Sequence, residues 1–151
     1  MVGVDKSFVP LRIKSHPDSL RVLSTEQKGQ IAQAKVMMEA ARKGYMAFLP
    51  TSQLRYDLLL ERDGKFLRVQ VKYADSKSPH SEGAVRVDLR RRKRLYTKEE
   101  FDLLLVYIPQ IDQVCCFGPD MFHNRHGLQL RLRATLNGQR RGCLIAEDHV
   151  W

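Results

Sequence analysis

Three polar residues around a tight turn have the types and the spacing for chemistry on a phosphate. Asp57 precedes the pair Asp63-Gly64, and Gln70 and Lys72 follow it. Because side chains alternate between the two faces of a strand, Gln70 and Lys72 point to the same side. Pairing across the turn brings Asp57 towards that side. A carboxylate, an amide oxygen and an ammonium in one place suit a divalent metal ion and a phosphate.

The segment that must position these residues, 56–73, has the sequence YDLLLERDGKFLRVQVKY. Two apolar-rich runs flank Asp63-Gly64, and glycine tolerates the positive φ that a tight turn requires. The pattern therefore predicts two antiparallel strands joined by a hairpin turn. The alternative interpretation of Asp57 and Lys72 is a surface ion pair on that hairpin.

A helix is predicted directly before the hairpin. Ser24 and Gln27 have the spacing of a capping box, good helix formers follow, and Gly44 ends the helix. We expect one apolar stripe of this helix to pack on the sheet. The stripe consists of Ile31, Ala34, Met38 and Ala41.

Several further runs predict strands. Residues 45–49 are a short apolar run and predict a buried strand, and residues 101–108, FDLLLVYI, predict a central strand buried on both faces. Residues 84–89 alternate apolar with charged side chains, and the basic run 90–94 is predicted to extend that strand. Two more strands are predicted at 114–117 and 128–132.

The length, composition and net charge of the chain restrict its possible functions. The chain has 151 residues, 43% of them hydrophobic, which fits one domain with its own core. We expect an N-terminal arm or extension at 1–24 and the folded domain at 25–151. The net charge of +9 predicts attraction to a polyanion such as nucleic acid. No apolar run approaches the ~20 residues that span a bilayer, so we expect no membrane partner and a cytoplasmic location.

The order of these residues resembles the core of PD-(D/E)XK nucleases, in which an acid opens one strand and a second oxygen ligand, any residue and a lysine follow on the next. Tyr56 stands at the position of the motif's proline, and Gln70 at that of its second acid. More narrowly, residues 44–50, 55–57 and 68–72 are similar to compact homing endonucleases encoded within group I introns of transfer-RNA genes. The resemblance covers about residues 26–133.

The resemblance implies an α/β fold with a restriction endonuclease-like core, in which helices flank a mixed central β-sheet. It implies that Asp57, Gln70 and the carbonyl of Val71 hold Mg²⁺ or Mn²⁺, and that Lys72 orients or activates the attacking water. Gln33 is the best match to an acid that the first helix of such enzymes presents to the metal. Either this acid has been replaced or it lies elsewhere.

A basic stretch supplies candidate DNA contacts. Five consecutive cations at 90–94 repel one another, which favours an anionic partner over a merely solvated face. Arg86, Asp88 and Arg90 share one face of the predicted strand and are the candidates for reading base edges. The predicted DNA-binding residues are Lys77, His80, Arg86, Asp88, Arg90, Arg91, Arg92, Lys93 and Arg94.

The leading hypothesis is a site-specific homing endonuclease, an Mg²⁺-dependent enzyme that makes double-strand breaks in DNA and promotes the mobility of its intron. The alternatives are a Holliday-junction resolvase or a restriction-type nuclease, which share this core, and a DNA-binding protein with impaired catalysis, because Gln33 and Gln70 stand where acids are expected. One small domain holds one active site, so cutting both strands of a long, near-palindromic site requires at least a dimer. The resemblance implies a tetramer.

Overall fold

The computed structural model describes residues 22–76, 83–133, 138 and 144–151. The first half contains helix α1 (Thr25–Arg42) and strands β1 (Met46–Phe48), β2 (Leu58–Arg62), β3 (Lys65–Tyr73) and β4 (Ala84–Asp88). The second half contains β5 (Arg90–Arg91), β6 (Arg94–Leu95), β7 (Leu103–Ile108), β8 (Gln113–Phe117), helix α2 (Pro119–Phe122), β9 (Gly127–Arg131) and a 3₁₀ helix (Ala146–His149).

The main sheet has five strands in the order β1-β2-β3-β7-β8. Strands β3 and β7 are parallel, whereas the other neighbours are antiparallel. The predicted α/β class with a mixed central sheet is therefore confirmed. The parallel pair places the carboxyl ends of β3 and β7 at the same edge, and Gln70 and Lys72 lie on β3.

The predicted hairpin is confirmed. Strands β2 and β3 pair with Arg62 opposite Lys65, and Asp63 and Gly64 between them have φ values of 54° and 75°. Two consecutive residues with positive φ make a turn whose twist matches that of the flanking strands. The capping box of α1 is also confirmed, because the Gln27 amide donates to Ser24 Oγ at 3.1 Å and the Ser24 amide donates to Gln27 Oε1 at 2.9 Å.

The predicted apolar stripe of α1 was wrong. Ala34 and Ala41 are exposed, and Ile31 and Met38 retain 38% and 40% of their accessible surface. The residues packed on the sheet are Ala32, Val36 and Ala40, each at most 1% exposed. This helix has apolar side chains on two opposite faces, so its periodicity allows either face to be buried. Two alanines and a valine let the helix lie closer to the strands than Ile31 and Met38 on the other face would.

Strands of similar apolar character differ in burial. Strand β7 lies inside the sheet and its residues 104–108 are 0–9% exposed, which confirms a central strand buried on both faces. Strand β1 was predicted as a buried strand, but it is the edge of the sheet, and Met46 and Phe48 are 62% and 48% exposed. A short apolar run does not reveal whether a strand has one neighbour or two.

The main sheet has a hydrophobic cluster on each face. Alternate residues of β7 contribute to opposite clusters, with Leu105 and Tyr107 on the side of α1 and Leu104 and Val106 on the other side. The second cluster includes the fully buried rings of Tyr96 and Phe101, which meet edge to face. Neither described helix is long and apolar enough to cross a membrane.

Two small β structures lie outside the main sheet. Strands β4 and β9 form an antiparallel ribbon, the β4–β9 ribbon, with Arg86 opposite Gln129. Strands β5 and β6 form a tight hairpin, the arginine hairpin (residues 90–95), with Arg91 opposite Arg94. The prediction that the basic run extends the preceding strand was therefore wrong. The chain turns within this run, because residues 92 and 93 adopt φ values of 50° and 65°.

Candidate catalytic site

Asp57 lies directly before β2 and opposite Gln70 on β3. Its backbone amide donates to the Val69 carbonyl at 2.8 Å, which fixes the carboxylate at the start of the strand pair. The Oδ2 atom accepts hydrogen bonds from the Val71 amide at 2.9 Å and from Gln70 Nε2. The side chain keeps 27% of its accessible surface, so a ligand can still reach it.

Gln70 contributes an amide oxygen that no hydrogen bond satisfies. The residue is 4% exposed, and its Nε2 atom contacts Asp57 and the Val71 carbonyl, the latter at 3.2 Å. Its Oε1 atom is buried without a hydrogen-bond partner within the described residues. An unsatisfied buried polar atom costs about 1–3 kcal/mol, so this oxygen would gain from a cation.

The donor set fits a divalent metal ion. Asp57 offers a carboxylate and Val71 a backbone carbonyl, and Gln70 Nε2 contacts both. Rotation of the Gln70 amide would turn its oxygen to this position, and hard oxygen donors are the ligands that Mg²⁺ prefers. The described part of the chain contains no cluster of three His, Cys, Asp or Glu side chains. An ion at this site would therefore depend on neutral oxygens as well as on Asp57.

Lys72 is held from two directions. Its Nζ atom donates to the Arg90 carbonyl at 3.2 Å and lies 5.1 Å from the centroid of the Tyr96 ring. The guanidinium of Arg55 lies 5.2 Å from the same centroid. The ring is fully buried, and a cation over an aromatic face is attracted by its quadrupole. The sequence analysis did not identify Tyr96, and no motif around it signals this role.

Burial acts on both charged groups of the site. It raises the pKa of Asp57, against the opposing effects of the Val71 amide and the charges of Arg91 and Lys72. It lowers the pKa of Lys72, against the opposing charges of Asp88 and Asp57. A lysine that loses its proton more readily is better suited to exchange protons with a bound water.

Gln33 lies beside Asp57, at the position that was predicted from the resemblance. Its Nε2 atom donates to the Asp57 carbonyl at 3.3 Å. Both residues line a cavity of about 520 Å³ between α1 and the hairpin. Glu26 lines the same cavity two helical turns before Gln33, and the sequence analysis did not single it out. Its position was recoverable, because residues seven apart share one face of a helix.

The predicted base-reading residues do not behave as one set. Arg86 is exposed on the β4–β9 ribbon, with the amide side chain of Gln129 on the facing strand. Arg90 and Asp88 form a bidentate ion pair with two contacts of 2.9 Å, so each offsets the charge of the other. Gln129 was not predicted, although its place in an alternating run signals the same exposed face.

The rest of the basic run is divided among different acceptors. Arg91 lies 4.0 Å from Asp57, and Arg92 donates to Gln53 Oε1 at 3.0 Å. Arg94 donates to Glu100 Oε1 at 3.1 Å, while Lys93 is exposed at the turn. Only Arg91 of these four reaches the Asp57 carboxylate. The two remaining predicted DNA contacts, Lys77 and His80, lie outside the described residues.

The chain is similar to a known protein family and to solved structures. The profile of the PD-(D/E)XK endonuclease family matches residues 23–150. No curated protein matches the chain. Among solved structures, the bacterial homing endonuclease I-Ssp6803I is 28% identical, with a TM-score of 0.70, covering 85% of this chain and 89% of that one. The Holliday junction resolvase Hjc of the archaeon Archaeoglobus fulgidus is 15% identical, with a TM-score of 0.41, covering 76% and 97%.

Proposed function

The chain belongs to the PD-(D/E)XK endonuclease family, and on that premise we propose that it is a site-specific homing endonuclease that makes Mg²⁺-dependent double-strand breaks in DNA. Members of this family generally use divalent metal ions. The observation that supports the proposal is the proximity of Asp57 to the Gln70 amide, which contacts its carboxylate, and to the charge of Lys72. The similarity to the homing endonuclease I-Ssp6803I over most of both chains supports the proposed homing activity.

The residues of the site would have two separate roles, which are metal binding and activation of the attacking water. Asp57, the Gln70 amide and the Val71 carbonyl would hold Mg²⁺ or Mn²⁺. A bound ion of this kind makes water more acidic and neutralises charge on the phosphate. Lys72, fixed by the Arg90 carbonyl and the Tyr96 ring, orients the attacking water, and its lowered pKa lets it accept a proton.

The single carboxylate predicts an unusual order of binding. Gln70 supplies no negative charge where a second acid would, so the free protein should hold Mg²⁺ weakly. A DNA phosphate adds that charge, and the ion should bind tightly only once DNA is present. Calorimetric titration of Mg²⁺ into the free protein tests this, and tight stoichiometric binding without DNA would contradict it.

The assembly must bring two sites to one duplex. Each chain has one candidate site, so a dimer is the smallest unit that cuts both strands, and a tetramer is the state that the resemblance implies. A symmetric assembly reads a near-palindromic target, and a long target suits an enzyme that promotes the mobility of its intron. Sedimentation with and without the target duplex measures the number of copies.

The main test is selection from a library of randomised duplexes with Mg²⁺, followed by cleavage of the selected site. We expect a long, near-palindromic sequence to be enriched, and we expect Lys72→Ala to slow its cleavage by about 10²–10⁴-fold. Lys65→Ala is the matched control, because Lys65 lies exposed at the other end of β3. Equal cleavage by Lys72→Ala would show that the catalytic assignment is wrong. Duplex binding without any cleavage would identify a DNA-binding protein that has lost catalysis.

A further inference from the structure

The arginine hairpin directs one side chain into the catalytic site. Arg91 Nη1 donates to the Leu54 carbonyl at 2.7 Å and lies 4.0 Å from Asp57 Oδ1. The side chain is 32% exposed, so the guanidinium is partly buried beside the Asp57 carboxylate. The carbonyl contact fixes one edge of the guanidinium and leaves other N–H donors available, since arginine carries five.

The positive charge of Arg91 affects the pKa of three ionisable groups of the catalytic site. Burial is the largest influence on the pKa of Asp57, Lys72 and Tyr96, and in all three the positive charge of Arg91 acts in the downward direction. The guanidinium is therefore an electrostatic member of the site, together with the lysine. A cation in a half-buried position acts more strongly than one in bulk water.

The other arginines of this hairpin are placed differently. Strand alternation turns Arg90 away from Arg91, and Arg90 pairs with Asp88. Arg94 faces Glu100, and Arg92 faces Gln53. The turn between the strands uses positive φ at residues 92 and 93, a strained conformation for residues that have a Cβ atom. The surrounding contacts hold this turn and, with it, the position of Arg91.

We propose that Arg91 is a catalytic residue that binds a non-bridging oxygen of the scissile phosphate. This inference rests on the proposed nuclease function and assigns one more residue to it. In the reaction the water oxygen bonds to phosphorus and the bond from phosphorus to one ester oxygen breaks. One water proton stays on the new phosphate monoester, and the other ends on the released hydroxyl. Arg91 keeps its protons and stabilises negative charge on the phosphate oxygens as the transition state forms.

The first test compares single-turnover cleavage of the selected duplex by Arg91→Ala and Arg91→Lys. We expect Arg91→Ala to slow cleavage by about 10²–10³-fold, as removal of one preorganised donor does elsewhere, and Arg91→Lys to restore part of the loss. Arg42→Ala is the control, because Arg42 is an exposed arginine at the end of α1 that pairs with Glu39. Thermal melting of each variant confirms that it is folded.

The second test measures binding without cleavage. Fluorescence anisotropy in metal-free buffer measures binding to the unmodified selected duplex and to the same duplex with an uncharged methylphosphonate at the scissile phosphate. The parent should bind the modified duplex more weakly, whereas Arg91→Ala should bind both equally, because the contact is already lost. An equal penalty in the parent and in Arg91→Ala would overturn the inference. The inference would also be overturned if Arg91→Ala cleaved the duplex at the parent rate while Lys72→Ala was inactive. A parent that cuts no duplex would overturn the proposed function and this inference together.

Discussion

The catalytic site and the β4–β9 ribbon both carry polar side chains on strands, but they place them in opposite surroundings. At the site, Asp57 and Lys72 are half-buried, and burial works against the charged form of each. On the ribbon, Arg86 and Gln129 are exposed, while Val85 and Leu130 behind them are buried. Partly buried charged side chains are suited to catalysis, whereas exposed polar side chains are suited to binding DNA. Substitutions at the site should therefore change rate, and those on the ribbon should change affinity.

The arginine hairpin connects these two regions along the chain. It follows β4 after the fully buried Leu89, and the Arg90 carbonyl accepts the hydrogen bond from Lys72. On its other side, Arg90 pairs with Asp88 at the end of β4. DNA bound on the ribbon would thus lie next to a segment that positions the catalytic lysine. Substitutions in each region test whether the catalytic site sets the cleavage rate and the β4–β9 ribbon sets the affinity for DNA.

The largest effect is expected at the carboxylate. Asp57→Asn removes the negative charge of the principal candidate metal ligand and should slow cleavage by roughly 10³-fold, within the range that loss of a catalytic group produces. Binding to the selected duplex should be kept. Gel cleavage assays and anisotropy measure the two quantities separately. The control is Asp63→Asn, the same change in the turn of the same hairpin, where asparagine tolerates positive φ. Equal rates for the two variants would contradict the role of Asp57.

On the ribbon, Arg86→Ala should weaken binding by about 1–3 kcal/mol if the guanidinium reads a base, with little change in the cleavage rate at saturating DNA. Its relaxed selectivity would appear at one position of the target in a repeated library selection. A uniform loss for all sequences, with a reduced dependence on salt, would instead indicate a phosphate contact. Arg62→Ala, at an exposed arginine on β2, is the matched control.

Two glycine-to-alanine substitutions compare how closely the backbone is packed in the two regions. A Cβ atom at Gly127 would lie 2.8 Å from the Val87 carbonyl oxygen and 3.6 Å from Arg86 Nε. Gly127→Ala should therefore force the ribbon strands apart and lower the free energy of unfolding by about 1–3 kcal/mol. At Gly29, in α1 beside the cavity, an added Cβ meets nothing within 4 Å. Gly29→Ala should raise the free energy of unfolding by about 0.5–1 kcal/mol. Denaturant unfolding measures both, and equal changes would contradict the close approach at Gly127.

The smallest effect concerns the cost of the desolvated lysine. Lys72→Met removes a buried charge and should raise the melting temperature by about 2–4 °C, which corresponds to ~1 kcal/mol in a chain of this size. Folding lowers the pKa of Lys72 from 10.5, so between the two values the unfolded chain binds more protons and the stability of the parent rises with pH. The advantage of Lys72→Met should shrink as pH approaches 10.5. If the difference in melting temperature between Lys72→Met and the parent widened with pH, the lowered pKa of Lys72 would be contradicted. Lys65→Met is the control.

The sequence alone was sufficient wherever a feature depended on neighbours close along the chain. The positive φ required at Asp63-Gly64 and the spacing of Ser24 and Gln27 specified the hairpin and the start of α1. Strand pairing across the hairpin also predicted that Asp57 lies close to Gln70. The resemblance to a nuclease family rests on the same local pattern, and the family match agrees with it.

Only the tertiary structure decided which of two equivalent local choices was used. Helix α1 could bury either apolar face, and the sheet selected the one with small side chains. A run of five cations could continue a strand or turn, and acceptors distant in sequence, such as Gln53 and Glu100, separated its members. Tyr96 beneath Lys72, and Arg91 beside Asp57, result from packing across tens of residues. Such contacts depend on how layers meet in space, which a pattern along the chain does not contain.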